Sequence, residues 1–129
     1  MTTFTYDHIH LRSTDPEKTA AYYARMFDAE IIRTMQDGAP RIDMKIGGQN
    51  VFIAPVAPDS KVNPPPVTPY QGLDHFGLRV TGIDKVVADL KAKGAEFTME
   101  LNEPRPGIRV CFIRGPEGVS IEVLERQAK

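Results

Sequence analysis

The chain has little that would mark it for a membrane, for nucleic acid or for an oxidising compartment. Its single cysteine, Cys111, excludes an internal disulfide and fits a reducing environment. No apolar run approaches the roughly 18 residues that a membrane span requires, and the first residues lack the charged-then-apolar pattern of a leader. Neither sign of charge dominates: the formal net charge is -1, with Lys and Glu interspersed and neither a basic stripe nor an acidic tail. That balance argues against a nucleic-acid partner and for a small molecule or another protein. The expectation is a soluble, cytoplasmic protein with no membrane partner. Its 129 residues suffice for one domain with a substantial core.

What the chain does have is a repeat. Asp7-His8-Ile9-His10-Leu11-Arg12 returns 67 positions later as Asp74-His75-Phe76-Gly77-Leu78-Arg79. Each copy is followed by a helical stretch and then by strand-like segments. The chain therefore reads as two copies of one unit, each opening on a histidine-bearing strand. Matching strands of a duplicated fold are a natural way to bring two histidines to one metal.

In the first unit, alternation over residues 5–12 sets His8, His10 and Arg12 on one face and Ile9 and Leu11 on the other. Asp15 is the expected N-cap and Pro16 the first residue of a helix over 16–26, with Ala20, Tyr23 and Phe27 as its core stripe. Strands are expected over 30–34, 41–46 and 51–55, with turns at Asp37-Gly38 and Gly47-Gly48. A proline-rich crossing around Asn63-Pro64-Pro65-Pro66 is too polar and stiff for a sheet interior and reads as an extended linker. The second unit repeats the order: a strand over 73–80, a helix over 84–93 closed by Gly94, and strands over 96–99, 108–114 and 119–124. Val86, Val87 and Leu90 are its expected buried helix residues, and Gly115-Pro116-Glu117-Gly118 turns the last hairpin.

The expected fold class is α+β: two tandem βαβββ units forming a half-barrel-like mixed sheet with helices outside. The whole chain, 1–129, is taken as one domain, with unit one at 1–56, the linker at 57–72 and unit two at 73–129.

The order and motifs resemble the vicinal oxygen chelate superfamily, which includes glyoxalase I, methylmalonyl-CoA epimerase, fosfomycin-resistance enzymes, extradiol dioxygenases and bleomycin-resistance proteins. The resemblance rests on His8 with Leu11, Arg12 and Asp15 ahead of Tyr22-Tyr23; on His75 with Leu78; and on Gly115-Pro116-Glu117-Gly118 before Ile121-Glu122. It implies that the two units enclose one divalent metal (Zn, Fe(II), Mn, Ni or Co) held by His8, His75 and Glu122. Imidazoles with one carboxylate suit such borderline ions, and few protein ligands leave positions open for substrate. Glu125 is offset by an odd number from Glu122 and turns to the opposite face.

Glyoxalase I and the epimerase add a fourth ligand from the last strand of the first unit. Aligning Val51-Phe52-Ile53-Ala54 with Val119-Ser120-Ile121-Glu122 places Ala54 there, and a one-residue slip places Ile53. Neither coordinates. The dioxygenases and fosfomycin-resistance enzymes commonly carry a tyrosine where this chain has Phe112, and the upstream histidine of the dioxygenase signature is missing between Glu103 and Arg109.

His10 leaves the same strand face as His8, some 6–7 Å along, and is the candidate general base. Arg12, with Arg79 as its counterpart, suits an anionic substrate group. Phe52, Ala54 and Phe112 are the remaining candidate substrate contacts; Cys111 is expected in the core. The resemblance implies a metal-dependent lyase or isomerase that stabilises an enediolate-type intermediate in a small, oxygen-chelating anion. Two alternatives are an Fe(II) extradiol-type dioxygenase and a ligand-sequestering protein of the bleomycin-resistance type. The family habit of pairing chains implies a homodimer.

Overall fold

Asp15 and Pro16 start the first helix as their chemistry dictates. A computed structural model of the chain describes residues 3–127. In it the Asp15 carboxylate accepts from the Lys18 backbone N–H at 3.1 Å, and Pro16 opens α1, Pro16–Phe27. Asp28 ends the helix in the left-handed region, at φ 57°. Thr19, Ala20, Tyr23 and Met26 form its buried face, while Phe27 is only half-buried. Ser13, wholly buried, bonds the Thr19 hydroxyl at 2.7 Å and accepts from the Asp15 N–H at 3.0 Å, so strand, cap and helix are joined.

The chain divides into two compact units, Met1–Asn63 and Pro64–Lys129, and the division falls within the proline-rich stretch. The first holds β1 (His8–Ser13), α1, β2 (Glu30–Gln36), β3 (Ala39–Ile46) and β4 (Gln49–Pro55). Its sheet runs β1-β4-β3-β2, with β1 and β4 parallel and the other pairs antiparallel. Ile42, Met44, Ile46, Val51 and Ile53 are buried on the face to which Ile9 and Leu11 also belong by register. The alternation expected of β1 is present: His8, His10 and Arg12 are exposed, Ile9 and Leu11 half-buried.

The second unit repeats the plan with β5 (Phe76–Arg79), α2 (Ile83–Ala92), β6 (Glu96–Arg105), β7 (Ile108–Arg114) and β8 (Ser120–Arg126), in the order β5-β8-β7-β6. Cys111, Ile113, Ile121 and Val123 are buried on one sheet face, and Ile83, Val87 and Leu90 on α2. Residues of that same sheet face reach the helix. Arg109 donates twice to Asp84, at 2.7 and 2.9 Å, and Glu125 accepts from the Gly82 and Ile83 N–H groups at 2.6 and 3.3 Å. Among the described residues no helix is long and apolar enough to cross a membrane.

Several expected boundaries move. Strand β1 starts at His8, not residue 5, because its pairing with β4 begins at His8↔Asn50. Strand β5 covers only Phe76–Arg79, so His75 stands just before the strand, not within it. Strand β6 runs on to Arg105 through three register irregularities against β7. Val86 is half-buried; the place it was expected to fill in the core belongs to Ile83, which is fully buried at the start of α2.

Candidate metal and substrate site

Both copies of the Asp-His pair adopt the same local geometry. In the first unit the Asp7 carbonyl accepts from the side-chain amides of Gln49 and Asn50, at 3.2 and 3.4 Å, which ties the residue before β1 to the start of β4. The Asp7 carboxylate then takes the Nδ1 side of His8 at 2.7 Å. In the second unit Asp74 does the same for His75, again at 2.7 Å. An ionised carboxylate only accepts, so each Nδ1 is the donor and a neutral ring keeps its lone pair on Nε2. In that form Nε2 is the ring nitrogen able to accept a proton or ligate a cation. Residue-by-residue reading missed Asp7 and Asp74, although the repeated Asp-His dipeptide was the signal that pointed to them.

His75 is more tightly enclosed than His8. Its Nε2 lies 2.9 Å from Glu122 Oε1, so carboxylates face both ring nitrogens. One proton cannot satisfy both. With Nδ1–H given to Asp74, a lone pair would face a carboxylate oxygen unless a positive charge, a second proton or a metal ion, lies between them. Phe112 packs edge-on to the same imidazole, with ring centroids 4.8 Å apart. Gly77 pairs with Glu122 in the sheet, and Phe112 pairs with it from the other side. By chemistry an imidazole beside a carboxylate, as in His75 and Glu122 of the second unit, suits a divalent cation as well as a second proton, and the exposed His8 of the first unit carries an imidazole of the same kind. Among the described residues no group of three or more His, Cys, Asp or Glu side chains is gathered that could hold a metal ion.

In the first unit His8 stacks on Phe52, with centroids 4.3 Å apart, and His10 stands 6.1 Å from His8 and 6.4 Å from Phe52. The Arg41 guanidinium lies 5.0 Å from the Phe52 ring centroid and is held by Asp43 at 2.7 Å. Ala54 pairs with Arg12 by register. A cleft of about 440 Å³ is bounded by His10, Arg41 and Ala54, with Asp15, Glu17 and Asp37 among its other walls.

The register corrects one sequence assignment. In the second unit the residue two past the histidine, Gly77, pairs with Glu122; in the first, the residue two past the histidine, His10, pairs with Phe52. Phe52, not Ala54, occupies the place equivalent to Glu122. Matching Val51-Phe52-Ile53-Ala54 to Val119-Ser120-Ile121-Glu122 is two residues out of register, because an alternating pattern repeats every two residues and only the pairing with β1 and β5 fixes which repeat is equivalent. The conclusion for chemistry is unchanged: the equivalent position carries no ligand.

Glu125 turns away from Glu122 and caps α2. Burial pushes the Cys111 thiol up to about 11, with the Glu100 charge adding to it, which suits a core residue and not a nucleophile. Burial likewise raises the Tyr23 phenol, with Tyr22 adding to the effect.

A family model described as the Glyoxalase/Bleomycin resistance protein/Dioxygenase superfamily matches residues 5–123. The Bacillus subtilis protein YwkD is 27% identical over 125 residues, covering 92% of this chain and 94% of its own length. Glyoxalase I of Saccharomyces cerevisiae is 26% identical over 95% of this chain, which spans only 45% of that larger protein. Among solved structures, a glyoxalase family protein from Bacillus cereus superposes with a TM-score of 0.79 at 17% identity, covering 99% of this chain and 97% of its own.

Proposed function

The chain belongs to the Glyoxalase/Bleomycin resistance protein/Dioxygenase superfamily, and from that premise we propose that it is a metal-dependent lyase or isomerase acting on a small anionic substrate with two adjacent oxygens. The observation that carries this reading is the pairing of His75 Nε2 with Glu122 Oε1 at 2.9 Å, behind an Asp74 that fixes the ring. With His8 as third ligand, these groups hold one divalent ion. A bound ion of this kind supplies Lewis-acid polarisation of a carbonyl and so acidifies the adjacent carbon. His10, exposed on the face of His8, takes the proton from that carbon and returns it. Arg12 holds the anionic group of the substrate, and Phe52 and Phe112 supply apolar walls, with Ala54 leaving room beside Arg12. The active species is a homodimer.

An extradiol-type dioxygenase would use the same three ligands. Phe112 opposes that reading, because it sets a ring without a hydroxyl against His75.

The test is the metal content of protein purified without added metal, beside Glu122→Ala. About one Fe, Zn, Mn, Ni or Co per chain, lost in the variant, is expected. His10→Ala should retain the metal and lower turnover by about 10²- to 10⁴-fold. Oxygen uptake by iron-loaded protein with a catechol would move the reading to the dioxygenase. Failure to bind any metal after loading would overturn both enzyme readings and leave a ligand-sequestering protein. A monomer mass in light scattering would contradict the homodimer.

A further inference from the structure

All four strands of the second unit's sheet end on arginine, and three of them, β5 at Arg79, β6 at Arg105 and β8 at Arg126, run the same way and end on the same side of the sheet, with Arg114 of the antiparallel β7 at the other. All three line one cleft of about 690 Å³, with Gly107 and Gln127 beside them. Gly107 turns β6 into β7 at φ 85°, and its carbonyl accepts from the Gln127 N–H at 2.7 Å, which locks the turn against the end of β8. The cleft runs on into a neighbouring one of about 550 Å³ that shares Arg79, Gly107, Arg126 and Gln127.

Four of the other arginines have carboxylate partners. Arg33 pairs with Glu17, Arg41 with Asp43, Arg109 with Asp84 and Arg114 with Glu96. Among the described residues, Arg79, Arg105 and Arg126 have no such carboxylate partner. No acidic residue lines the larger cleft. Of the two carboxylates in the neighbouring one, Glu125 is committed to the Gly82 and Ile83 N–H groups, and Glu103 is the other. Three arginines without a carboxylate partner of their own thus line one cleft, in a chain whose formal net charge is -1. Their mutual repulsion is relieved when an anion enters, and guanidinium forks match phosphate and carboxylate oxygens two at a time.

The position of the cleft suggests its occupant. Arg79 and Arg126 lie four residues beyond His75 and Glu122 on adjacent strands, on the same sheet face by register, so roughly 13 Å along the strands. From the arginine end towards Glu122 that face carries Ile108, then Val110 and Leu124, an apolar cluster with Phe112 packed against it. We propose that this cleft is a second anion site, which receives a multiply charged phosphate or carboxylate group at the far end of the substrate from its chelating oxygens. The substrate class is then an elongated anion, with some 13 Å between its reacting oxygens and its terminal charge. The link to the substrate rests on the metal reading above; the anion site itself does not.

The test is titration of metal-free protein with inorganic pyrophosphate and, separately, with citrate. It is followed by calorimetry and by the side-chain Nε–H resonances of Arg79, Arg105 and Arg126. Saturable binding that shifts those resonances, weakens with added salt, and falls at least tenfold in Arg105→Gln/Arg126→Gln is expected. Tighter binding of pyrophosphate than of citrate assigns the site to phosphate, and the reverse assigns it to carboxylates. Binding that the double variant leaves unchanged, or no binding of either anion, overturns the proposal. Because the variants replace exposed side chains, an unchanged melting curve confirms that the fold is intact. Glu122→Ala should keep the anion site, so loss of metal binding and loss of anion binding report on the two readings separately.

Discussion

The two units share one plan and differ in what they build on it. Each opens with an Asp-His pair whose carboxylate takes Nδ1 at 2.7 Å. From there they diverge. In the second unit Glu122 closes on the other side of the imidazole, and the position two past the histidine is Gly77, bare of side chain. In the first unit the equivalent places hold Phe52 and His10, so the imidazole is stacked and a second imidazole stands beside it. On the function proposed above, the second unit would supply most of the cation's donors, and the first an apolar wall and a proton carrier. The clefts diverge as well: Asp15, Glu17 and Asp37 lie along the first, and three arginines along the second. The repeated backbone supplies one geometry twice, and different side chains stand at the matching register positions.

Exchanging those positions is the strongest way to break the comparison. Glu122→Phe, which gives the second unit the first unit's residue, should lower divalent-metal affinity by more than about 100-fold, beyond the roughly 10–100-fold typical of outer partners. The reciprocal Phe52→Glu adds a charged donor beside His8 and should raise affinity by about tenfold. Calorimetric titration with Zn or Ni decides both, and an affinity untouched by either change would remove the assigned roles.

The Asp-His pairs sharpen the comparison at the next level. Asp74 is 43% exposed and Asp7 80% exposed. Asp74→Asn should therefore weaken the metal by about 10–100-fold, and Asp7→Asn by less. Imidazole ¹⁵N shifts of the metal-free variants should show the loss of the fixed Nδ1–H tautomer. A tautomer unchanged in both variants would sink the argument.

The helix caps differ in origin. Helix α1 is capped by Asp15, three residues from the N–H it serves, whereas α2 receives its cap from Glu125 on β8. Removing either acceptor should cost about 0.5–2 kcal/mol in denaturant unfolding, with Glu125→Ala the larger because two N–H groups lose their partner. Equal losses, or a larger loss for Asp15→Ala, would contradict the assignment.

The smallest expected effect is electrostatic and confined to the second unit. Hydrogen bonds from Arg109 hold the Asp84 carboxyl below its usual range. A folded-state value below the unfolded one contributes stability that is full above the ordinary carboxylate range and is lost as pH falls through the lowered value. The same pair raises Arg109, whose share is lost only as pH rises past the usual guanidinium range. Asp84→Asn should therefore melt at a slightly lower temperature than the parent near neutrality, and the gap should close below about pH 4. A gap independent of pH would assign Asp84 a packing role.

Local chemistry was legible in the residues. The alternation in β1, the Asp15-Pro16 helix start, the turn before β8 and the opposite face of Glu125 all follow from neighbours within a few positions. The repeated motif marked His8 and His75 as equivalent candidates, strand alternation added His10, and the family resemblance added Glu122. Cross-strand facts were not legible. The similarity of Val51-Phe52-Ile53-Ala54 to Val119-Ser120-Ile121-Glu122 matches Ala54 to Glu122, whereas the ladder matches Phe52, because register is fixed by pairing with β1 and β5 and not by an alternation that repeats every two residues. The register irregularities of β6, the capping of α2 by a residue 42 positions away, and the gathering of Arg79, Arg105 and Arg126 have the same origin. The sequence by itself determined the two-unit plan and the residue types able to bind a cation, since these depend on short-range periodicity and on side-chain chemistry. Only the tertiary structure decided which of those residues share a strand position, a sheet face or a cleft, since that is set by hydrogen-bonded pairing between segments far apart in the chain.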